Sequence, residues 1–268
     1  MKSLDNMRPN MFRVIVFSFL TLVLVFFLCV FTSPAIFVEP WQLAHAFLSD
    51  EVRFALSLSI FTATCSTLIS LVIGIPVAYA LSRLEFRGKT VIEGFLDVPI
   101  AVPPVTLGVM LLIFFARNPI GMFINERIVT IVFEVPGIIV AQLAVISALT
   151  IKLLKETFDG VPARYERVAR TFGYTELETF LYITLPAAKR GILGAALISW
   201  AKALGEFGAT LMLAGATRFK TETLPIALYL NLVAADLGNV AALSFILLFT
   251  ACLTLIATRK LLYRGLAI

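Results

Sequence analysis

Lys202 and Glu206 stand four residues apart in a run from Gly191 to Gly215 that carries no other charge. On one helix that spacing brings both side chains to the same face. Ionised groups at the centre of a bilayer are costly unless they are paired or face a wet cavity. Lysine before glutamate is the less favourable order for supporting a helix, so helicity alone does not account for the pair. Two explanations remain: a structural pair between helices, or a device in which Lys202 attracts an anion and Glu206 prevents it from being held too tightly. An intramembrane enzyme using the two as acid and base lacks a partnered nucleophile, since Ser199 lies too close to Lys202 in sequence to make that case.

Other chemistries lack their residues. Cys29, Cys65 and Cys252 fall in separate apolar stretches without metal-ligand spacing and read as small buried hydrophobes. His45, in a loop beside Trp41, is the one histidine, which leaves no histidine triad and no multi-histidine metal site. The chain contains no GxxxxGK[ST] phosphate loop and hence no ATP site of its own. Neither a metal nor a cofactor is expected.

The elements that must position these residues are membrane helices. Charged residues make up 15% of the 268, against roughly 25% in soluble domains. Val14–Phe31, Phe54–Ser82, Val98–Ala116, Val135–Ile151 and Gly238–Thr258 are uncharged apolar runs, near or above the roughly 17 to 25 residues that cross hydrocarbon as helix. Gly191–Gly215 makes a sixth. Helix satisfies its own backbone inside lipid, so the expectation is an all-α integral membrane protein with six spans in one domain over residues 1–268. Thr223 to Ala235 is too short to span and reads as re-entrant or interfacial. The first run exceeds the apolar core of a signal peptide and reads as an uncleaved anchor. Pro99, Pro103 and Pro104 can break the third span and free backbone carbonyls beside a cavity.

Lysine and arginine set orientation. Sixteen of them flank the spans on one side and five on the other. Both termini are therefore expected in the cytoplasm, with the long loop between spans four and five. The net charge of +5 follows from this bias and calls for no nucleic acid.

That loop, residues 154–190, contains YERVARTFGYTELETFLYITLP, Tyr165 to Pro186. Pro162 suits the first turn of a helix. Tyr165, Val168, Ala169 and Phe172 then form one apolar face, with Arg164, Glu166, Arg167 and Arg170 around the rest. Gly173 is placed for a left-handed cap, Thr175 and Glu178 for a capping box that opens a second helix. The second helix has its apolar face on Leu177, Phe180, Leu181 and Thr184, and Pro186 limits it. A basic amphipathic helix of this kind either lies on the bilayer or enters a groove on a partner.

The frame Ala169, Gly173, Ile183, Leu185, Pro186 resembles the EAA loop of ABC importer permeases. The family's Glu-Ala-Ala falls on Arg167, Val168 and Ala169. Arginine thus occupies the usual glutamate position, and Glu166 lies one residue earlier, about 100° away around a helix. WAKALGEFGATLMLAG, Trp200 to Gly215, and DVPIAVPPVTLGVMLL, Asp97 to Leu112, are similar to the fifth and third spans of molybdate, tungstate and sulfate permeases.

The resemblance implies a type I (MetI-like) importer: a homodimer of the permease, two cytoplasmic ATPase subunits and an extracytoplasmic binding protein that delivers the oxyanion. It assigns ATPase coupling to Arg164, Tyr165, Glu166, Arg167, Val168, Ala169, Arg170, Phe172 and Gly173. It also puts spans three and five near the path, with Pro103, Pro104, Thr106, Ser199, Lys202, Glu206 and Thr210 as candidate lining residues. Molybdate or tungstate is the expected cargo, sulfate or thiosulfate the alternative. An ion-coupled secondary carrier is the weaker rival, because the chain shows no inverted repeat.

Overall fold

A backbone amide facing hydrocarbon has no partner outside its own helix, and helices make up the regular structure of this computed structural model, which describes residues 2–36 and 48–263. His45 and Trp41 lie outside that range. Helix α1, Lys2–Thr32, ends in a 3-10 turn at Ser33–Ile36. There follow α2 (Asp50–Arg83), α3 (Lys89–Ala101), α4 (Pro104–Arg117), α5 (Pro119–Arg127) and α6 (Val135–Asp159). The chain continues through α7 (Arg164–Thr171), α8 (Glu176–Leu204), α9 (Gly208–Ala214), α10 (Leu224–Val233) and α11 (Leu237–Tyr263). Among the described residues five helices are long and apolar enough to cross a membrane, and α3 with α4, bent by 106°, make a sixth where the pair is counted as one broken span.

The bend has a local cause. Proline disfavours helical geometry in the residue before it, and Val102, preceding Pro103, is extended at φ −76°, ψ 130°. Pro104 opens α4, where its missing N–H leaves no bond unmade. Pro99 stays inside α3 without breaking it, so the chain breaks at Pro103–Pro104 alone.

The body is organised around α2 packed on α6. At one end Ala78, Leu81, Ile151, Leu154 and Phe158 close against Ala188 and Ala195 of α8. Toward the other end Val52 and Ala55 meet Leu224 and Ala227 of α10 and Leu243 and Ile246 of α11. The ten-residue α10 is buried between α2 and α11 along Leu224–Ala227. Buried hydroxyls bind the helices where hydrocarbon offers no other partner: Ser66 donates to Gln142 at 3.1 Å, Thr150 to Ser199 at 2.8 Å, and the Leu224 N–H to Ser59 at 2.8 Å.

Several expectations are corrected here. The fourth span runs beyond Ile151 to Asp159. The fifth stops at Leu204 rather than Gly215, and a separate helix, α9, follows the break. Pro186 does not end the second cytoplasmic helix. A π turn at Phe180–Thr184 widens the backbone ladder just before it, and the Leu185 N–H reaches back to the Phe180 carbonyl. The missing proline N–H is absorbed there, so Glu176 to Leu204 is one continuous run. Cys29 and Cys252 are exposed on the protomer instead of buried. Their apolar side chains are at home against lipid, so a span need not bury them.

Candidate functional site

At the end of the bundle where α2 finishes, α7 is joined to α2 through Tyr79 and Arg83 and to the π turn of α8 through Thr184. Its φ +89° residue Gly173 and the Thr175–Glu178 capping box form the turn into α8 as expected. Of the apolar face read from the sequence, Ala169 alone turns inward. Only Glu166 and Ala169 are buried, whereas Tyr165, Val168 and Phe172 are exposed, Phe172 by 78%. Arg164, Arg167 and Arg170 are exposed as well. Arg164 lies over the Tyr165 ring at 5.3 Å, and Arg170 pairs with Glu176 at 3.1 Å. The outer surface of α7 is thus aromatic and basic. On α8, Leu177 and Leu181 point outward, and Thr179, Phe180 and Thr184 face the body.

Glu166 is therefore corrected as a residue that meets a partner. Its carboxylate accepts from the Arg83 Nε at 2.8 Å, from Thr184 at 2.9 Å and from the Tyr79 hydroxyl at 3.4 Å. Arg83 also donates to the Val161 carbonyl at 2.7 Å. The two ionic side chains keep 12% and 7% of their surface. Of the frame residues, Ile183 and Leu185 are half-buried at the start of the fifth span and Pro186 is exposed.

In the membrane region, the break at Gly205 separates Lys202 from Glu206. Glu206 is 3% exposed and its carboxylate accepts the Ala209 N–H at 2.9 Å, capping α9. Lys202 is exposed, and among the described residues no ion pair joins the two. The expected pair on one helix face is corrected for that reason. Ser199 and Thr210 are fully buried within the protomer, so neither lines an open path. Pro103 and Thr106, beside the bend of the third span, are exposed, and Pro104 is half-buried. The two broken spans touch: a side chain on Gly108 of α4 would stand 2.7 Å from the Ala209 Cα of α9.

At the far end, Glu222 is fully buried and accepts the Phe219 N–H at 2.9 Å. Burial, and then the Glu51 carboxylate, push its pKa up, against the Phe219 amide and Arg218. Arg218 reaches Glu51 at 3.8 Å and Asn231 donates to it at 3.3 Å.

Residues 70–261, which include α7 with its turn into α8 and both helix breaks, match the family described as binding-protein-dependent transport system inner membrane component. The chain belongs to that family. It is therefore a multi-pass cell-membrane permease of the ABC importer type. It is 30% identical to a probable molybdenum ABC transporter permease of Haloferax volcanii over 92% of this chain and 89% of that one. It is also 33% identical to the molybdenum transport permease ModB of Escherichia coli, over 68% and 80%. A molybdate/tungstate permease of Pyrococcus abyssi, WtpB, is 38% identical over 60% of each chain. Among solved structures, a bacterial alginate ABC importer superposes with TM-score 0.72 at 16% identity, covering 95% of this permease and 96% of that chain. The inward-facing MetNI methionine transporter gives 0.60 at 17%, covering 81% and 98%. These two likenesses establish the fold.

Arg83, Tyr79 and Thr184 were not legible as site residues. Arg83 counts in the sequence as one more orienting charge, and its partner lies 83 positions away.

Proposed function

We propose that this permease carries a tetrahedral oxyanion, molybdate or tungstate, across the cell membrane as the transport subunit of an ATP-driven importer. The observation that carries the coupling role is the outer surface of α7, where Tyr165, Val168 and Phe172 are exposed among three arginines while Glu166 holds the helix from behind. An amphipathic helix presenting anchors of this kind fits a groove on another protein. Two ATPase subunits, two permease copies and an external binding protein complete the assembly. Arg164, Tyr165, Arg167, Val168, Arg170, Phe172 and Gly173 form or shape the docking surface, residues 154–190 being the coupling part of a single domain. ATP hydrolysis belongs to the partner. Its closure moves α7, the spans open outward, the binding protein releases its anion, and hydrolysis returns the spans to the inward-open state.

Cytoplasmic termini are supported by the charge bias and by α7 lying at the arginine-rich end. Lys202, Pro103 and Thr106 are the path candidates that remain exposed. Molybdate and tungstate are favoured by the relatives, which are molybdenum and molybdate/tungstate permeases.

The test is ATP hydrolysis by the permease reconstituted with its cognate ATPase and binding protein, with molybdate, tungstate or sulfate supplied outside. Stimulation by molybdate or tungstate above sulfate is expected. No stimulation by any of the three would withdraw the oxyanion assignment.

A further inference from the structure

The Arg83–Glu166 pair is the start of a longer chain of polar contacts. From Glu166 on α7 the ion pair passes to Arg83 at the end of α2. Arg83 Nη1 donates to Ser82 at 3.1 Å, and Ser82 donates to Asp159 at the end of α6. Asp159 accepts from Lys155 at 3.1 Å, and Lys155 approaches Glu93 at 3.7 Å. Glu93 lies on α3, the half-helix that leads to the 106° bend at Pro103.

We infer that this chain, Glu166–Arg83–Ser82–Asp159–Lys155–Glu93, transmits the movement of α7 to the broken third span, with Arg83 and Lys155 as its positioning residues. The inference rests on the coupling role proposed above for α7.

Packing alone joins α7 weakly to the spans, because Ala169 is the only apolar side chain that α7 buries. A single-turn apolar anchor would let the helix tilt without moving what lies behind it. The Glu166 carboxylate is instead held by donors from two elements, Tyr79 and Arg83 on α2 and Thr184 in the π turn of α8. Charge-assisted bonds of short length and little solvent are directional and stiff. A buried carboxylate cannot leave its arginine without exposing an unpaired charge to a dry site. When α7 moves, the end of α2 and the start of α8 must therefore move with it. The second half of the chain is more open, Lys155 and Glu93 each retaining 31% of side-chain surface. Lys155 nevertheless hydrogen-bonds Asp159 on its own helix and comes within ion-pair distance of Glu93 on α3, which makes it the link between α6 and α3. The π turn that accommodates Pro186 also carries Thr184 to the Glu166 carboxylate, and such turns are frequent at functional sites.

The experiment uses the full complex in proteoliposomes, with cognate ATPase and binding protein loaded with molybdate or tungstate. Three quantities are read: ATPase retained on the permease, ATP hydrolysed, and anion taken up per ATP. Arg83→Gln and Lys155→Met are expected to retain the ATPase at wild-type stoichiometry and to lower uptake per ATP by about tenfold, a middling value for coupling between sites. Arg83→Lys, which keeps the charge, is expected to recover part of the loss. Uptake per ATP equal to wild type in Lys155→Met, whose side chain is partly exposed and whose loss the fold should tolerate, would overturn the relay. So would loss of the ATPase in both variants, because the contacts would then only shape the docking surface. A wild-type permease that fails to hold the ATPase overturns the coupling role itself and the relay with it.

Discussion

Phe172 is the side chain on which the docking proposal can be tested most sharply. It is 78% exposed on the protomer, at the C-terminal end of α7, with Gly173 turning the chain away behind it. Fully burying a phenylalanine contributes about 1.5–3 kcal/mol. Scaled by the 78% that a partner has yet to cover, docking gains about 1.2–2.3 kcal/mol from this ring. Truncation to alanine should weaken each contact roughly 7- to 50-fold, at about 1.4 kcal/mol per tenfold. Phe172→Asp should do more, because an unpaired carboxylate would be desolvated in the groove. In the proposed assembly of two permeases and two ATPases, the loss would act at both sites. Stability of the permease itself should change by no more than about 0.5 kcal/mol, as for other exposed positions. The assay is co-purification of the ATPase with a monodisperse, membrane-inserted permease. Retention of the ATPase by Phe172→Asp at the wild-type level would refute the reasoning and leave α7 as a helix resting on lipid.

Three further outcomes are expected. Lys202→Met should assemble normally and reduce oxyanion uptake at limiting concentration; uptake unchanged at every concentration would remove Lys202 from the path. Gly108→Ala places a methyl group 2.7 Å from the Ala209 Cα, so α4 and α9 must part. Thermal unfolding in detergent should show a loss of about 1–3 kcal/mol, whereas Gly94→Ala, which has open space around it, should be neutral. Glu222 has a folded-state pKa raised by burial and by Glu51. The native state then binds the proton more tightly than the unfolded one, so its contribution to stability is present below the ordinary glutamate value and declines as pH rises through the raised one. A plot of melting midpoint against pH should flatten over that window in Glu222→Gln, and an unaltered slope would count against the assignment.

The spans were legible because hydrocarbon imposes a single requirement, a long uncharged helix, and a run such as Val135–Ile151 announces it. The local turns were legible because their chemistry is contained in a few residues: Gly173 adopts the positive φ its position demands, and Thr175 and Glu178 close their box. What escaped was decided over distance. Apolar periodicity puts Tyr165, Val168, Ala169 and Phe172 on one face of α7 without saying whether lipid, a partner or the body covers it. Ala169 alone turns inward, beside Glu166, which the body holds through Arg83, Tyr79 and Thr184, and the other three stay exposed. The end of the fifth span was hidden for a related reason. Gly205 lies within a run that is apolar on both sides of it, and nothing in composition reveals that the carboxylate beside it caps a new helix rather than pairing with Lys202.

The two corrections concerning glutamate lead to one physical conclusion. In each case a carboxylate stands where a function outside the protomer would have used it, at the coupling surface or in the path, and in each case the protomer consumes it internally. Glu166 is spent on Arg83 and Glu206 on the amide end of α9. The charges left on the outer side of α7 are Arg164, Arg167 and Arg170, and the exposed charge in the fifth span is Lys202. With arginine at 167, where the EAA frame usually has glutamate, the outer side of α7 has no acid to offer, because the neighbouring Glu166 is turned about 100° away and already bound to Arg83. A groove that received α7 as proposed would meet it through aromatic contact and acceptors for arginine, and Lys202, exposed and in no ion pair among the described residues, is the charge that an anion on the proposed path would meet.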